Sequence, residues 1–256
     1  MAAELKGEHR VVYLYGITAS QPAVPELTGV DRVSPVESVA GGGVFSWISR
    51  VPALEFQENL ARNMEDLDWL AEASVAHQRV ISAIAAGTEM LPARLGTIFR
   101  NDASLLKHIS RRASEFKQDF DRIRGADEWG VKVFEVDPVI VAPRAKVRSG
   151  RDYLQAKAAL LPARKQKKAS DGELSRFAQA LDSIAEETAP PGAVSRGQRG
   201  VAFRTTLLVK RENKKKLDSV LRKFARQWSG QRRIECTGPW PPYSFVSRPD
   251  DGVRTR

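Results

Sequence analysis

VAFRTTLLVKRENKKKLDSVLRKFARQWSGQRRIECTGPWPPYSFV, Val201–Val246, carries the pattern that decides the fold. VAFRTTLLVK is rich in β-branched residues and reads as a strand. Asn213 opens a helix that places Leu217, Val220, Leu221, Phe224 and Trp228 on one side, the three- and four-residue spacing of an amphipathic helix. Gly230 ends that helix, RRIECT reads as another strand, and a stretch with three prolines and three aromatics follows. A helix that is apolar along one side only needs one sheet face to cover it.

Upstream, the same alternation recurs. RVVYLYGI (Arg10–Ile17) reads as a strand, and so does VFSWIS after the glycine-rich turn Gly41-Gly42-Gly43. From Ala53 to about Ala86 the pattern is helical, with Leu67, Leu70, Ile81 and Ile84 at compatible spacings and His77 on their stripe. MLPARLGTIF (Met90–Phe99) reads as a buried strand interrupted by Arg94. Asp102 is expected to cap one long helix whose face is Leu105, Ile109, Ala113, Phe116, Phe120 and Ile123. Trp129–Val136 reads as a strand and 137–150 as a loop, and a helix starting near Gly150 is interrupted at Pro162. ARKQKKAS reads as an exposed basic connector, and Ser170 with Glu173 as the capping box of a helix with Leu174, Phe177, Leu181 and Ile184 on its face. Two α+β domains are expected, both α/β sandwiches of the ferredoxin-like type. The first covers residues 1–126, and the second covers 127–256 with a helical, basic insertion.

Composition supports two cores and narrows the setting. The 256 residues are 42% hydrophobic and 28% charged, and Cys236 is the single cysteine, so no internal disulfide forms. MAAELKGEHR carries charges where a secretory signal would be apolar, and no stretch approaches the ~18 apolar residues of a membrane span. A cytoplasmic protein is expected. The net charge of +10 is uneven: residues 1–127 hold 14 basic and 17 acidic side chains, residues 128–256 hold 27 and 14. The basic half suits nucleic acid, an anionic membrane or an acidic protein surface, and solubility alone also explains it.

The sequence holds no GxSxG, no Walker loop, no GxGxxG after a strand and no HExxH. With three histidines and one cysteine, no metal cluster can be assembled from imidazole and thiolate, and a lone histidine on an apolar stripe is usually a hydrogen-bonded core residue. Paired acids such as Glu65-Asp66 and Glu186-Glu187 read as solvated surfaces. No enzyme, cofactor or metal is expected. A nucleic-acid binder using the basic half is the alternative function. It is disfavoured because AFRTTLLVK has one aromatic, too few for base stacking.

The closing stretch is either an exposed proline-rich ligand or a strap packed on the protein's own core. Gly238 permits a sharp turn, Pro239 and Pro241 stiffen the chain around Trp240, and Pro241-Pro242 favours an extended path before Tyr243. Leaving Trp240, Tyr243 and Phe245 in water together would create a sticky patch. The strap is the better reading, with Trp240 largely buried. Likewise Arg94, inside an apolar strand, is expected to be buried against an acidic partner.

GPWPPYSFV at a strand end resembles the C-terminal signature of the gas vesicle protein F and L family. VYLYGI is similar to that family's opening strand. WLAEASVAHQRVI followed by MLPARLGTIF resembles its helix and its PLRFGT-like strand, on Pro92, Arg94, Gly96 and Thr97, and WGVKVF and SGRDYL follow in order. The pattern departs at Ala93 and Leu95 and across AFRTTLLV. The resemblance implies a non-catalytic accessory protein of gas vesicle formation. Its implied partners are the small amphipathic shell protein and other accessory proteins, in the cytoplasm and at the vesicle. Pro92, Arg94, Gly96, Thr97, Gly238, Pro239, Trp240, Pro241, Pro242 and Tyr243 are its signature positions and candidate partner contacts.

Overall fold

The computed structural model describes residues 9–23, 26–136, 162–190 and 200–246, with backbone alone for 162–170. The loop expected at 137–150, the SGRDYL match and the helix start near Gly150 lie outside the described residues. The chain divides into two units, Met1–Asp127 with Pro239–Arg256, and Glu128–Gly238. The closing segment therefore belongs to the first unit, not to the second as a simple midpoint division has it. Phe245 and Tyr243 find their cover there.

In the first unit, β1 (Arg10–Thr18), β2 (Glu37–Gly41) and β3 (Val44–Pro52) form an antiparallel sheet in the order β2-β3-β1. Two short strands, β4 (Met90–Pro92) and β5 (Ile98–Phe99), share the other edge of β1, β4 along Gly16–Thr18 and β5 along Val12–Tyr13. The expected single strand over Met90–Phe99 is thus split by a turn at 93–97. Arg94 explains the split, since a guanidinium stays solvated more cheaply in a turn than in a buried strand. After β3, a π-helical turn (Leu54–Glu58) and one short turn (Leu60–Asn63) precede α1 (Leu67–Ala85), which Asp66 caps. Leu67 is 78% exposed: it is the first residue of α1, and the buried face runs instead through Ala73, His77, Val80, Ile81 and Ile84. The helix expected from Asp102 is capped by Asn101 in a full capping box and breaks at Arg112 into α2 (Asp102–Arg111) and α3 (Ala113–Ile123).

Both faces of this sheet are covered. Val11, Tyr13 and Tyr15 pack with Val80, Ile81 and Ile84 of α1 in one cluster. Leu14, on the opposite side of β1, faces Ile109 and Phe116 of α2 and α3 across a cavity. A strand covered on both faces must be apolar at nearly every position, and RVVYLYGI is.

The second unit comprises β6 (Ala126–Glu135), α4 (Pro162–Asp182), β7 (Glu187–Ala189), β8 (Val201–Lys210), α5 (Lys214–Gln227) and β9 (Arg232–Trp240), with strand order β7-β8-β6-β9. Trp129, Val131 and Val133 alternate along β6 and meet Phe177 and Leu181 of α4, Leu217 and Phe224 of α5, and Trp228 at the C-cap of α5. Helix α4 begins at Pro162 and runs through 163–170, so the expected connector and the Ser170 cap are helix interior. Proline at the first helical position costs no hydrogen bond, and the following Ala, Lys and Gln residues favour helix. Both units are mixed α+β with antiparallel pairing. The first opens with strands and reaches its first long helix only after β3, which is not the strand–helix–strand opening of a ferredoxin-like fold.

Candidate functional site: a cavity beneath the Pro92–Thr97 turn

The turn at 93–97 is held from beneath by side chains of β1 and α1. The Gly96 backbone N–H donates to the Tyr13 hydroxyl at 3.1 Å, and that hydroxyl donates to Nδ1 of His77 at 2.9 Å. His77 Nε2–H in turn donates to the Ala93 carbonyl at 3.2 Å. The chain of donors closes only with a neutral imidazole protonated at Nε2. Burial pushes His77 down to about 4, opposed by its bond to the Ala93 carbonyl, so the ring is neutral near pH 7. The Tyr13 hydroxyl is pushed well above the ordinary tyrosine range, chiefly by burial. His77 is therefore a satisfied core residue. Two backbone bonds finish the turn, Ala93 N–H to the Tyr15 carbonyl at 2.8 Å and Leu14 N–H to the Thr97 carbonyl at 2.9 Å. Gly96 has φ +79°, a conformation that side-chain-bearing residues rarely adopt.

The closing segment caps the same region. After Trp240 the chain turns, with the Tyr243 N–H on the Pro241 carbonyl and the Phe245 N–H on the Pro242 carbonyl. Tyr243 donates its hydroxyl to Gln78 of α1 at 3.1 Å, and Arg122 of α3 donates to the Phe245 carbonyl at 2.9 Å. The strap thus ties the helices of the two sheet faces together. Phe245 is its anchor at 2% exposure, whereas Trp240 is 45% exposed, contrary to the expectation that the indole is buried. The reason lies in β9, which continues through Trp240. Gly238 (φ +130°) does not end the strand; a Cβ there would stand 2.7 Å from the Glu128 carbonyl oxygen, so glycine lets β9 lie close to β6.

Between the turn, the strap and α2–α3 lies a cavity of about 240 Å³. Leu14, Ile17, Leu91, Phe99, Ile109 and Phe116 supply apolar wall, and Arg94, His108 and Arg112 supply its basic groups. Among the described residues no Asp or Glu lines it. Arg94 is exposed, not buried as expected, and none of the described residues is the acidic partner expected for it. Arg112 is 7% exposed, donates to Glu115 at 2.7 Å, and lies 4.8 Å above the Phe116 ring. His108 is held below its ordinary pKa by burial first and by Arg112 and Arg111 second.

Of the signature positions, Pro92, Arg94, Thr97 and Tyr243 line this cavity together, and Gly96 shapes its turn. Gly238, Pro239, Trp240, Pro241 and Pro242 do not line it. Sequence reasoning missed His108 and Arg112. Arg112 left a signal: it falls three residues after Ile109 and four before Phe116, on the apolar stripe itself, where a charge calls for explanation. Among the described residues no group of three His, Cys, Asp or Glu could hold a metal, and no helix is long and apolar enough to cross a membrane.

The chain resembles known proteins over most of its length. It is 32% identical over 266 residues to gas vesicle protein L of Streptomyces sp., covering 95% of this chain and 96% of that protein. Gas vesicle protein F of the same source is 27% identical, with 91% and 98% covered. The crystal structure of gas vesicle protein GvpF from Anabaena sp. shares its fold at a TM-score of 0.67 and 18% identity, over 94% of this chain and 99% of that one. GvpF from Microcystis aeruginosa does so at 0.63 and 19%, over 93% and 99%. Residues 11–247 match the model of the family described as gas vesicle synthesis protein GvpL/GvpF, and the chain belongs to that family of gas vesicle formation.

Proposed function

We propose that this protein acts without catalysis in gas vesicle formation, by binding the small shell protein during assembly. We further read it as working in the cytoplasm with other vesicle accessory proteins and remaining on the vesicle as a minor component. The observation that carries this reading is the convergence of Pro92, Arg94, Thr97 and Tyr243, far apart in sequence, on one apolar cavity with a basic mouth. A subunit that must be apolar on its gas side aggregates unless its apolar surface is covered before assembly. A pocket held rigidly by Tyr13 and His77 offers such cover at small entropic cost.

The second unit, with strand–helix–strand–strand–helix–strand order and strands β7-β8-β6-β9, is best read as ferredoxin-like, and the two units as two domains. The nucleic-acid alternative gains nothing from β8. Its one aromatic, Phe203, packs edge-on against Phe177 at 5.6 Å and does not stand free for base stacking.

The test is co-purification from vesicle-forming cells. The tagged protein should recover the shell protein, and Ala93→Phe, which fills the cavity from the turn, should lose it while folding normally. Recovery of nucleic acid without vesicle proteins would overturn the reading.

A further inference from the structure

We propose that the cavity beneath the Pro92–Thr97 turn takes one large apolar side chain of a protein partner together with a carboxylate beside it. This rests on the reading that the chain binds a vesicle protein, and it states what that partner must present.

Size sets the first constraint. An apolar cavity of about 150 Å³ takes a benzene, and pockets for drug-sized molecules run from about 300 to 1,000 Å³. At about 240 Å³ this one suits a single aromatic or branched side chain with one further small group. That is the shape of an interface anchor, one bulky residue sunk in a pocket.

Charge sets the second. Apolar side chains form the wall, the basic groups are two arginines and an imidazole, and among the described residues no carboxylate lines the space. Residues 1–127 carry more acid than base, 17 against 14, so arginines gathered here run against the charge of their own unit. Arg94 reaches solvent at the turn and forms no ion pair among the described residues. Arg112 is already paired with Glu115 and lies over the Phe116 ring, so Arg94 is the cation the mouth presents to a partner. Planar guanidinium groups match a carboxylate better than any other common anion on a protein surface. The mouth therefore calls for Asp or Glu next to the anchor.

The occupant is a protein segment because Arg94 sits exposed on the turn. Its anion partner then lies at the surface, where a flanking residue of a docked chain would be, while the anchor points inward. The pocket is also formed in advance, since the 93–97 turn is pinned by Gly96 on Tyr13 and by Ala93 on His77.

The experiment uses the full chain and NMR titration. Probes are 3-phenylpropionate, its neutral amide, and two end-capped peptides that differ only in a Phe-Glu or Phe-Gln pair. The Phe-Glu peptide and the free acid should both perturb Leu91, Ile109 and Thr97, and each should bind about tenfold or more tightly than its neutral counterpart. Arg94→Gln should remove that preference without changing the melting temperature. Ala93→Phe should abolish binding of all four probes, with folding checked by the unchanged Tyr13–His77 amide environment. Equal binding of acid and amide, or probe binding that survives Ala93→Phe, overturns the proposal. Binding of the free acid but not of the Phe-Glu peptide also overturns it, in favour of a small free carboxylate. Failure to recover vesicle proteins alongside full peptide binding would instead overturn the proposed function and leave the cavity's chemistry standing.

Discussion

Tyr13, Tyr15, Thr18 and His77 thread the core of the first unit with hydrogen bonds, whereas the cluster around Phe177 in the second is aromatic and aliphatic, with polar contacts at its rim. Tyr15 accepts from the Val30 backbone at 2.7 Å and donates to Ser49 at 3.0 Å, and the Trp47 indole donates to Thr18 at 2.9 Å. In the second unit Phe177 meets Phe203, Phe224 and Trp228 edge to face, and Trp228 and Arg232 reach Glu173 only at the margin. Dispersion is non-directional and holds a core of any similar shape. Hydrogen bonds are directional, so a core that contains them fixes where particular turns sit. The first unit uses that to hold the turn over its cavity.

The largest test of this contrast removes a ring from each unit. Phe177→Ala and Phe245→Ala should each cost about 3–5 kcal/mol in denaturant titrations. Hydrogen exchange should place the loss in α4 and α5 for the first variant and around α1 and α3 for the second. Equal loss of protection in both units from either variant would show that the two cores melt as one.

Acid should separate the cores next. His77 titrates near 6.5 when unfolded and near 4 when folded, so its contribution is complete above pH 6.5 and is lost as pH falls toward 4. Between neutral pH and pH 4 the first unit should lose on the order of 3 kcal/mol from this group. His77→Phe should flatten that part of the pH profile. An unchanged profile would mean that the imidazole is not desolvated.

Tyr13→Phe sharpens the comparison at one atom. The ring keeps its packing, but the Gly96 N–H and His77 Nδ1 lose their shared partner, at a cost of about 1–3 kcal/mol. Amide exchange at Gly96 should quicken. Trp240→Ala should have the smallest effect, below about 1 kcal/mol, because the indole is 45% exposed. A larger loss of melting temperature would return the strap's anchor to Trp240.

Much of this was legible in the chain. The face Leu217–Phe224–Trp228 is inside as its spacing requires, and strands at Arg10–Ile17 and Val201–Lys210 stand where β-branched runs put them. Of the ten family signature positions, Pro92, Arg94, Thr97 and Tyr243 line the cavity and Gly238, Pro239, Trp240, Pro241 and Pro242 do not. Helix and strand periodicity, capping and proline stiffness are local, so neighbouring residues suffice to determine them. Whether Arg94 is buried, whether Trp240 or Phe245 anchors the strap, which unit the strap joins, and that Arg112 and His108 meet Leu14 and Tyr243 at one cavity depend on side chains far apart in sequence. Burial is settled by whatever covers a face, and that partner is absent from the local sequence. Only the tertiary structure, bringing β1, the 93–97 turn, α2–α3 and the closing segment together, decided where the cavity lies.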